Sequence, residues 1–348
     1  MTTDFSKLFQ LRLPLVLAPL AGGGSTPELA AAVCNAGGLG SLGSAYSKPA
    51  DIEREAARLR ELSSRPFLIN LFVPCKDPVL TEEQIQKALS ATRGFRQELQ
   101  IPEPTLKAPF SDDFDKQFES VLRIKPAAFS FTFGVLGSEY ISACHKAGIY
   151  TIGTATTLEE ALELEEVGVN SITLQGVEAG GHRGIFDLNS EDPQVSALDL
   201  TKTCSQRIKL PLITAGGIMN GQDIKKALQA GAQAAQMGTA FLTCDESGIS
   251  APYRRELLKT THKETKLTRV FSGRIARGIE NRFMKEMEGK MDSVLPFPAQ
   301  NVFTRDLRKA SAAVGSSEFL SLWAGTGADS IRSMKAAELV SVLIEELS

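Results

Sequence analysis

Short apolar runs alternate with helix-forming segments along most of the first 240 residues, and this alternation is what most narrows the fold. Apolar, β-prone runs fall at 15–22, 39–45, 66–73, 127–133, 149–154, 171–176, 212–215 and 234–237. Helical segments separate them at 27–35, 50–62, 138–146, 158–167, 195–208 and 221–230, with a longer polar, helix-prone excursion over 81–124. Eight strands separated by helices predict a closed parallel (β/α)8 barrel, an architecture that takes about 250 residues. Local punctuation agrees: Thr26 is placed to cap the helix at 27–35 and Gly37 to end it.

The repeat ends near Phe241, and the remaining residues need another role. Segments 250–260 and 281–290 read as helices flanking Thr268-Arg-Val-Phe-Ser-Gly-Arg-Ile-Ala-Arg-Gly278, and Pro296-Phe-Pro298 breaks the chain soon after. Segment 328–346 has helical apolar spacing and reads as the last barrel helix. The expected organisation is therefore a TIM barrel over 1–244, a smaller, mostly helical cap over 245–325, and a closing barrel helix in 326–348. With no low-complexity linker around it, the cap is expected to pack on the barrel mouth.

Composition excludes several function classes. A net charge of −3 offers no electrostatic reason to expect nucleic acid or an anionic membrane as partner. Cys34, Cys75, Cys144, Cys204 and Cys244 are scattered and never in C-x-x-C spacing, which reads as reduced thiols and not as a disulfide or metal framework. The first residues lack the basic-then-apolar pattern of a signal peptide, and no run approaches the ~20 apolar residues that span a bilayer. The expectation is a cytoplasmic enzyme, monomeric or homodimeric, acting on a small molecule.

The chemistry concentrates in glycine turns after the last three apolar runs. Gln175-Gly-Val-Glu-Ala-Gly-Gly-His-Arg-Gly184 places His182 beyond the sixth strand, where barrel enzymes present catalytic side chains. Ala215-Gly-Gly-Ile218 and Gln236-Met-Gly-Thr239 follow the seventh and eighth strands, where barrels often bind a phosphate. Gly217 lets the backbone approach an anion, and Gly238 and Thr239 offer amide and hydroxyl donors. The same glycines also suit plain strand-to-helix turns. Asn70, an amide within Phe67-Leu-Ile-Asn-Leu-Phe-Val73, needs hydrogen-bond partners if buried. Gln175 ends its strand and faces the same choice. His182 can exchange a proton near neutrality, whereas His145 and His262 read as non-catalytic. Gly38-Leu-Gly-Ser-Leu-Gly43 matches a dinucleotide-binding pattern, but it follows a helix and overlaps the second strand, which is the wrong context.

Ala18-Pro-Leu-Ala-Gly-Gly-Gly-Ser-Thr-Pro-Glu-Leu29, Asn70-Leu-Phe-Val-Pro74, the turn at 175–184, Ala215-Gly-Gly-Ile218, Gln236-Met-Gly-Thr239, Ser272-Gly-Arg-Ile-Ala-Arg-Gly278 and Trp323-Ala-Gly325 occur in that order. Together they resemble the nitronate monooxygenases, formerly called 2-nitropropane dioxygenases, of class I, over about residues 14–327. The resemblance implies FMN as cofactor, with contacts from Asn70, Gln175, Gly180, Gly217, Gln236, Met237, Gly238 and Thr239, and His182 as the active-site histidine. It implies oxidation of an alkyl nitronate, expected to be propionate 3-nitronate, by dioxygen to a carbonyl compound and nitrite. His182 would act as base only for a neutral nitroalkane and would otherwise position the substrate. An anionic substrate favours nearby cations, for which Arg183, Arg274 and Arg277 are candidates; Tyr253 stands where the family places an aromatic over the substrate. Phe297 departs from the family's Pro-Tyr-Pro pattern and leaves the exact substrate open. The alternative is an FMN-dependent NAD(P)H reductase of the same superfamily, acting on enoyl-acyl-carrier protein or quinone.

Overall fold

The computed structural model describes residues 2–259 and 264–348. His262 and the expected helix end at Thr260 lie outside the described residues. The chain opens with a short helix, α1 (Asp4–Leu8), and the strand β1 (Leu15–Leu17). Then follow α2 (Pro27–Ala36), β2 (Gly40–Gly43), α3 (Pro49–Leu62), β3 (Phe67–Phe72), α4 (Glu82–Glu98), α5 (Phe114–Ile124) and β4 (Ala128–Thr132). The barrel continues through α6 (Ser138–Lys146), β5 (Tyr150–Ala155), α7 (Leu158–Glu166) and β6 (Ser171–Gln175). A two-residue strand, β7 (Gly181–His182), interrupts the repeat before α8 (Ala197–Ser205), β8 (Leu212–Ala215), α9 (Gly221–Gln229) and β9 (Ala234–Met237).

Eight parallel strands run in the order β1-β9-β8-β6-β5-β4-β3-β2. The ring closes where Val16 bridges Leu39: Leu39 N–H donates to the Leu15 carbonyl at 2.8 Å and Leu17 N–H to the Leu39 carbonyl at 2.9 Å. The expected (β/α)8 barrel is therefore present. The predicted cap and stop of α2 also hold, since Thr26 accepts from Leu29 N–H and Gly37 is left-handed at φ 108°.

Period-two alternation explains which residues reach the barrel mouth. Val16, Leu39, Leu68, Ala128, Ile152, Ile213 and Ala234 fill the lower interior, and Phe5 and Phe9 pack against them from α1. Two residues further along the same strands, Asn70, Ser130, Thr154, Ala215 and Gln236 line the opening above that plug. The intervening residues, among them Ile69, Phe129, Leu174 and Ala235, belong to the main core with the outer helices.

The later residues form α10 (Ala251–Leu258), β10 (Thr265–Thr268), β11 (Ala276–Ile279), α11 (Arg282–Met287), α12 (Ala299–Phe303) and α13 (Arg305–Ala313). This block is less purely helical than its sequence suggests, because β10, β11 and β7 make a three-stranded antiparallel sheet. It also recruits α4: Phe95 packs with Phe271, Phe283 and Phe319, while Ala88 and Leu89 pack with Leu295 and Phe303. Arg96, almost fully buried on α4, donates to Asp306 at 2.5 Å and to the Phe303 carbonyl at 2.9 Å, fastening α13 in place. The closing helix α14 (Ala336–Leu347) starts later than its apolar spacing suggests. Before it, Arg332 leaves the helical path to bond the Met219 carbonyl and Glu346. No described helix is long and apolar enough to cross a membrane.

Candidate active site

A cavity of about 470 Å³ opens at the carboxyl ends of the barrel strands, between the glycine turns and the cap. Asn70, Gln175, Gly180, His182, Gly217, Gln236, Gly238 and Thr239 all line it. Met237 does not: its side chain is buried in the outer core, so only its backbone is available to a ligand.

The two turns after β8 and β9 are shaped for close approach. Gly216 and Gly217 hold φ values of 118° and 70°, which a side chain rarely adopts. A Cβ at Gly217 would come within 3.1 Å of Glu178 Cβ, and one at Gly180 within 2.5 Å of the Ala324–Gly325 peptide. Among the described residues the amides of Gly217 and Thr239 donate to no protein acceptor, while Thr239 Oγ1 accepts from Gly325 N–H at 3.0 Å. Free amides beside bare backbone make an anion cradle.

The histidine turn is built around Gln175. Its Oε1 accepts from Arg183 Nη1 and Gly184 N–H, both at 2.8 Å, and its Nε2 donates to the His182 carbonyl at 3.0 Å. Gln175 thus braces the turn and keeps one amide hydrogen for the cavity. Asn70 Nδ2 donates to Ser130 Oγ at 2.9 Å, which leaves its carbonyl side toward the mouth.

β7 carries His182 across to the cap, with His182 opposite Ala276 and Gly181 opposite Arg277. The ring stands among Phe72, Phe133, Phe297 and Trp323, with centroids between 5.5 and 6.4 Å away. Nε2 lies 2.8 Å from Ser272 Oγ. Burial first, then the charges of Arg274 and Arg308, lower the imidazole from its ordinary 6.5 to about 3, so His182 is neutral at physiological pH.

The three candidate arginines part ways. Arg183 is fully buried in an ion pair with Asp192 at 2.6 Å and bonds the Gly176 carbonyl. Arg277 spends its donors on the carbonyls of Val177 and Thr265. Both hold loops. Of these three only Arg274 acts on His182, stacked on Phe133 and bonded to the Ile185 carbonyl, its Nε without a partner among the described residues. Tyr253 lines the cavity with its ring, but its hydroxyl is committed to the Trp323 carbonyl.

Sequence reasoning missed the cations in the lining. Arg305, Arg308 and Lys309 of α13 line the cavity, and their i, i+3, i+4 spacing was a legible signal of one helix face. Tyr46 joins them, its buried hydroxyl without a partner among the described residues and its pKa pushed up to about 12 by burial. Among the described residues no carboxylate lines the cavity. Such a site suits anions.

A family model described as nitronate monooxygenase matches residues 4–346. A probable nitronate monooxygenase of Bacillus subtilis (strain 168) is 38% identical over 344 residues, covering 99% of this chain and 97% of the relative. A probable nitronate monooxygenase of Staphylococcus saprophyticus is 35% identical over 348 residues, covering 99% of this chain and 98% of the relative. The solved structure of a nitroalkane oxidase from Streptomyces ansochromogenes superposes with a TM-score of 0.93 at 39% identity, covering 99% of this chain and 97% of that one. FabK from Thermotoga maritima shares the fold at a TM-score of 0.76 and 24% identity, covering 100% of this chain and 96% of that one. The chain belongs to the nitronate monooxygenase family.

Proposed function

We propose that this enzyme binds FMN and oxidises a carboxylated alkyl nitronate, of the propionate 3-nitronate type, with dioxygen to a carbonyl compound and nitrite. One observation carries the reading: a cavity lined by no described carboxylate holds both a glycine-rich anion cradle and three cations, Arg305, Arg308 and Lys309.

The residues present fit the flavin. The cradle formed by Gly217, Gly238 and Thr239 packs its glycines too closely on Glu178 and Ala18 to carry side chains easily, and its amides have no acceptor among the described residues, so they are free to donate to a phosphate. Asn70, Gln175, Gly180 and Gln236 would hold the ring system across the mouth. When bound, the flavin supplies the electron-transfer chemistry that links the nitronate to dioxygen.

The chain's own residues do the rest. Arg274 and Arg308 favour an anion beside His182 and keep the imidazole neutral. Arg305 and Lys309, in the cavity lining, would attract the substrate's carboxylate. Phe72, Phe133 and Trp323 give the imidazole an apolar surround. His182 would take the α-proton of a neutral nitroalkane, and a preformed nitronate needs no such step.

The test is an anaerobic titration of the flavin-loaded protein, with propionate 3-nitronate in one cell and NADH or NADPH in the other. Flavin reduction by the nitronate and not by the nicotinamides supports the reading. Rapid bleaching by a nicotinamide would support a reductase instead.

A further inference from the structure

Ser272 sits on the loop between β10 and β11 with its side chain almost completely buried. That loop is firmly held. Gln300 Nε2 donates to the Val270 carbonyl and Thr304 Oγ1 to the Phe271 carbonyl, both at 2.6 Å. Gly273 then packs so tightly on residues 295–297 that a Cβ there would lie 2.5 Å from the Leu295 carbonyl oxygen.

The hydroxyl of Ser272 meets three groups but owns a single proton. Arg274 N–H donates to it at 3.3 Å, Arg274 O accepts from it at 3.1 Å, and His182 Nε2 lies 2.8 Å away. Among the described residues the Arg274 carbonyl has no other donor. Turning the serine proton toward His182 would leave that buried carbonyl unpaired, which is the costly arrangement. The proton therefore goes to Arg274 O, and the bond to the imidazole must run from Nε2–H to Ser272 Oγ. In this orientation the ring lies edge-on to Phe133 and tilted against Trp323. Nδ1 is then the unprotonated nitrogen, and no described residue bonds it.

We propose that Ser272 is a positioning residue that locks His182 in its Nε2–H tautomer, making Nδ1 the acceptor for the α-proton of a neutral nitroalkane. This rests on the functional reading above. In the step, the substrate C–H bond breaks, its proton moves to Nδ1, and its electron pair passes into the nitro group to give the nitronate anion. The charge on the resulting imidazolium is shared through Nε2–H with Ser272 Oγ, whose own O–H points to the Arg274 carbonyl. A nitronate that arrives already ionised bypasses this step, so the two substrate forms should respond differently to the serine.

The experiment combines kinetics with a direct reading of the tautomer. In flavin-loaded protein labelled with 15N-histidine, long-range proton–nitrogen correlation identifies the protonated nitrogen of His182, the signal assigned by its loss in His182→Gln. Wild type is expected to carry the proton on Nε2, and Ser272→Ala to shift population to Nδ1–H. Ser272→Ala should lower kcat/KM for a neutral nitroalkane roughly tenfold or more and change that for the preformed nitronate less than about threefold, with Ser272→Thr restoring the first. A wild-type proton on Nδ1 overturns the proposal, and this holds even if Ser272→Ala fails to fold. Equal losses on both substrates with an unchanged tautomer overturn it too. A wild type that releases nitrite from neither substrate would instead refute the functional reading and leave the tautomer to be judged by the spectrum.

Discussion

The guanidinium carbon of Arg274 lies 3.7 Å from the centre of the Phe133 ring, and among the described residues no carboxylate pairs with it. A buried arginine without a counter-ion is costly, and burial lowers its own pKa to about 10. Phe133 contributes a cation–π contact while itself holding φ at 84°, an uncommon conformation for an aromatic residue. The pair keeps a positive charge beside His182 that a bound anion would relieve.

Removing that charge should therefore be visible at the histidine. In Arg274→Met the imidazole is expected to titrate higher than the wild-type value of about 3, and the KM for a nitronate to rise roughly tenfold. Histidine NMR titration and steady-state kinetics on the same sample check both.

The depressed imidazole also sets an acid limit on stability. Its folded pKa lies below the ordinary 6.5, so the unfolded chain binds more protons between about 6.5 and about 3. Stability from this group is complete above 6.5 and is lost as pH falls through that window, by at most about 1.4 kcal/mol per pH unit. His182→Gln should accordingly lose less Tm than wild type between pH 7 and pH 4. A parallel loss in both would contradict the linkage.

The α13 wall predicts substrate selectivity. Arg305 and Lys309 line the cavity but remain exposed to solvent, so each is worth a modest, salt-screened amount. Replacing both with Met should raise KM roughly tenfold for a carboxylated nitronate and hardly change it for an uncharged alkyl nitronate. Wild type should lose its preference for the carboxylated substrate as salt increases.

The sequence was most legible where local rules decide. Thr26 and Gly37 bound α2 because capping and left-handed geometry are properties of a few neighbouring residues. The turn holding His182 could be found because its glycines and strand end are contiguous. Choosing between Arg183, Arg274 and Arg277 was different. Only the fold brings Asp192 to Arg183 and Val177 to Arg277, leaving Arg274 at the histidine. Likewise, Thr265–Thr268 has little strand signal by itself and becomes a strand by pairing with Ala276–Ile279. The recruitment of α4 through Arg96 and Asp306, 210 residues apart, has no local trace at all.

The glycine cradle gives a prediction about flavin retention. Gly217→Ala forces a side chain into a left-handed conformation, at about 1–2 kcal/mol, and puts its Cβ 3.1 Å from Glu178 Cβ. The purified variant should carry less flavin per chain, with a Tm that recovers when FMN is added in excess. Full flavin content would argue that the phosphate lies elsewhere.

Aerobic turnover of propionate 3-nitronate by the purified protein, with no added nicotinamide, is the decisive measurement. Nitrite release together with oxygen uptake is expected, both dependent on the bound flavin. Absence of both from a flavin-loaded sample would contradict the proposed function.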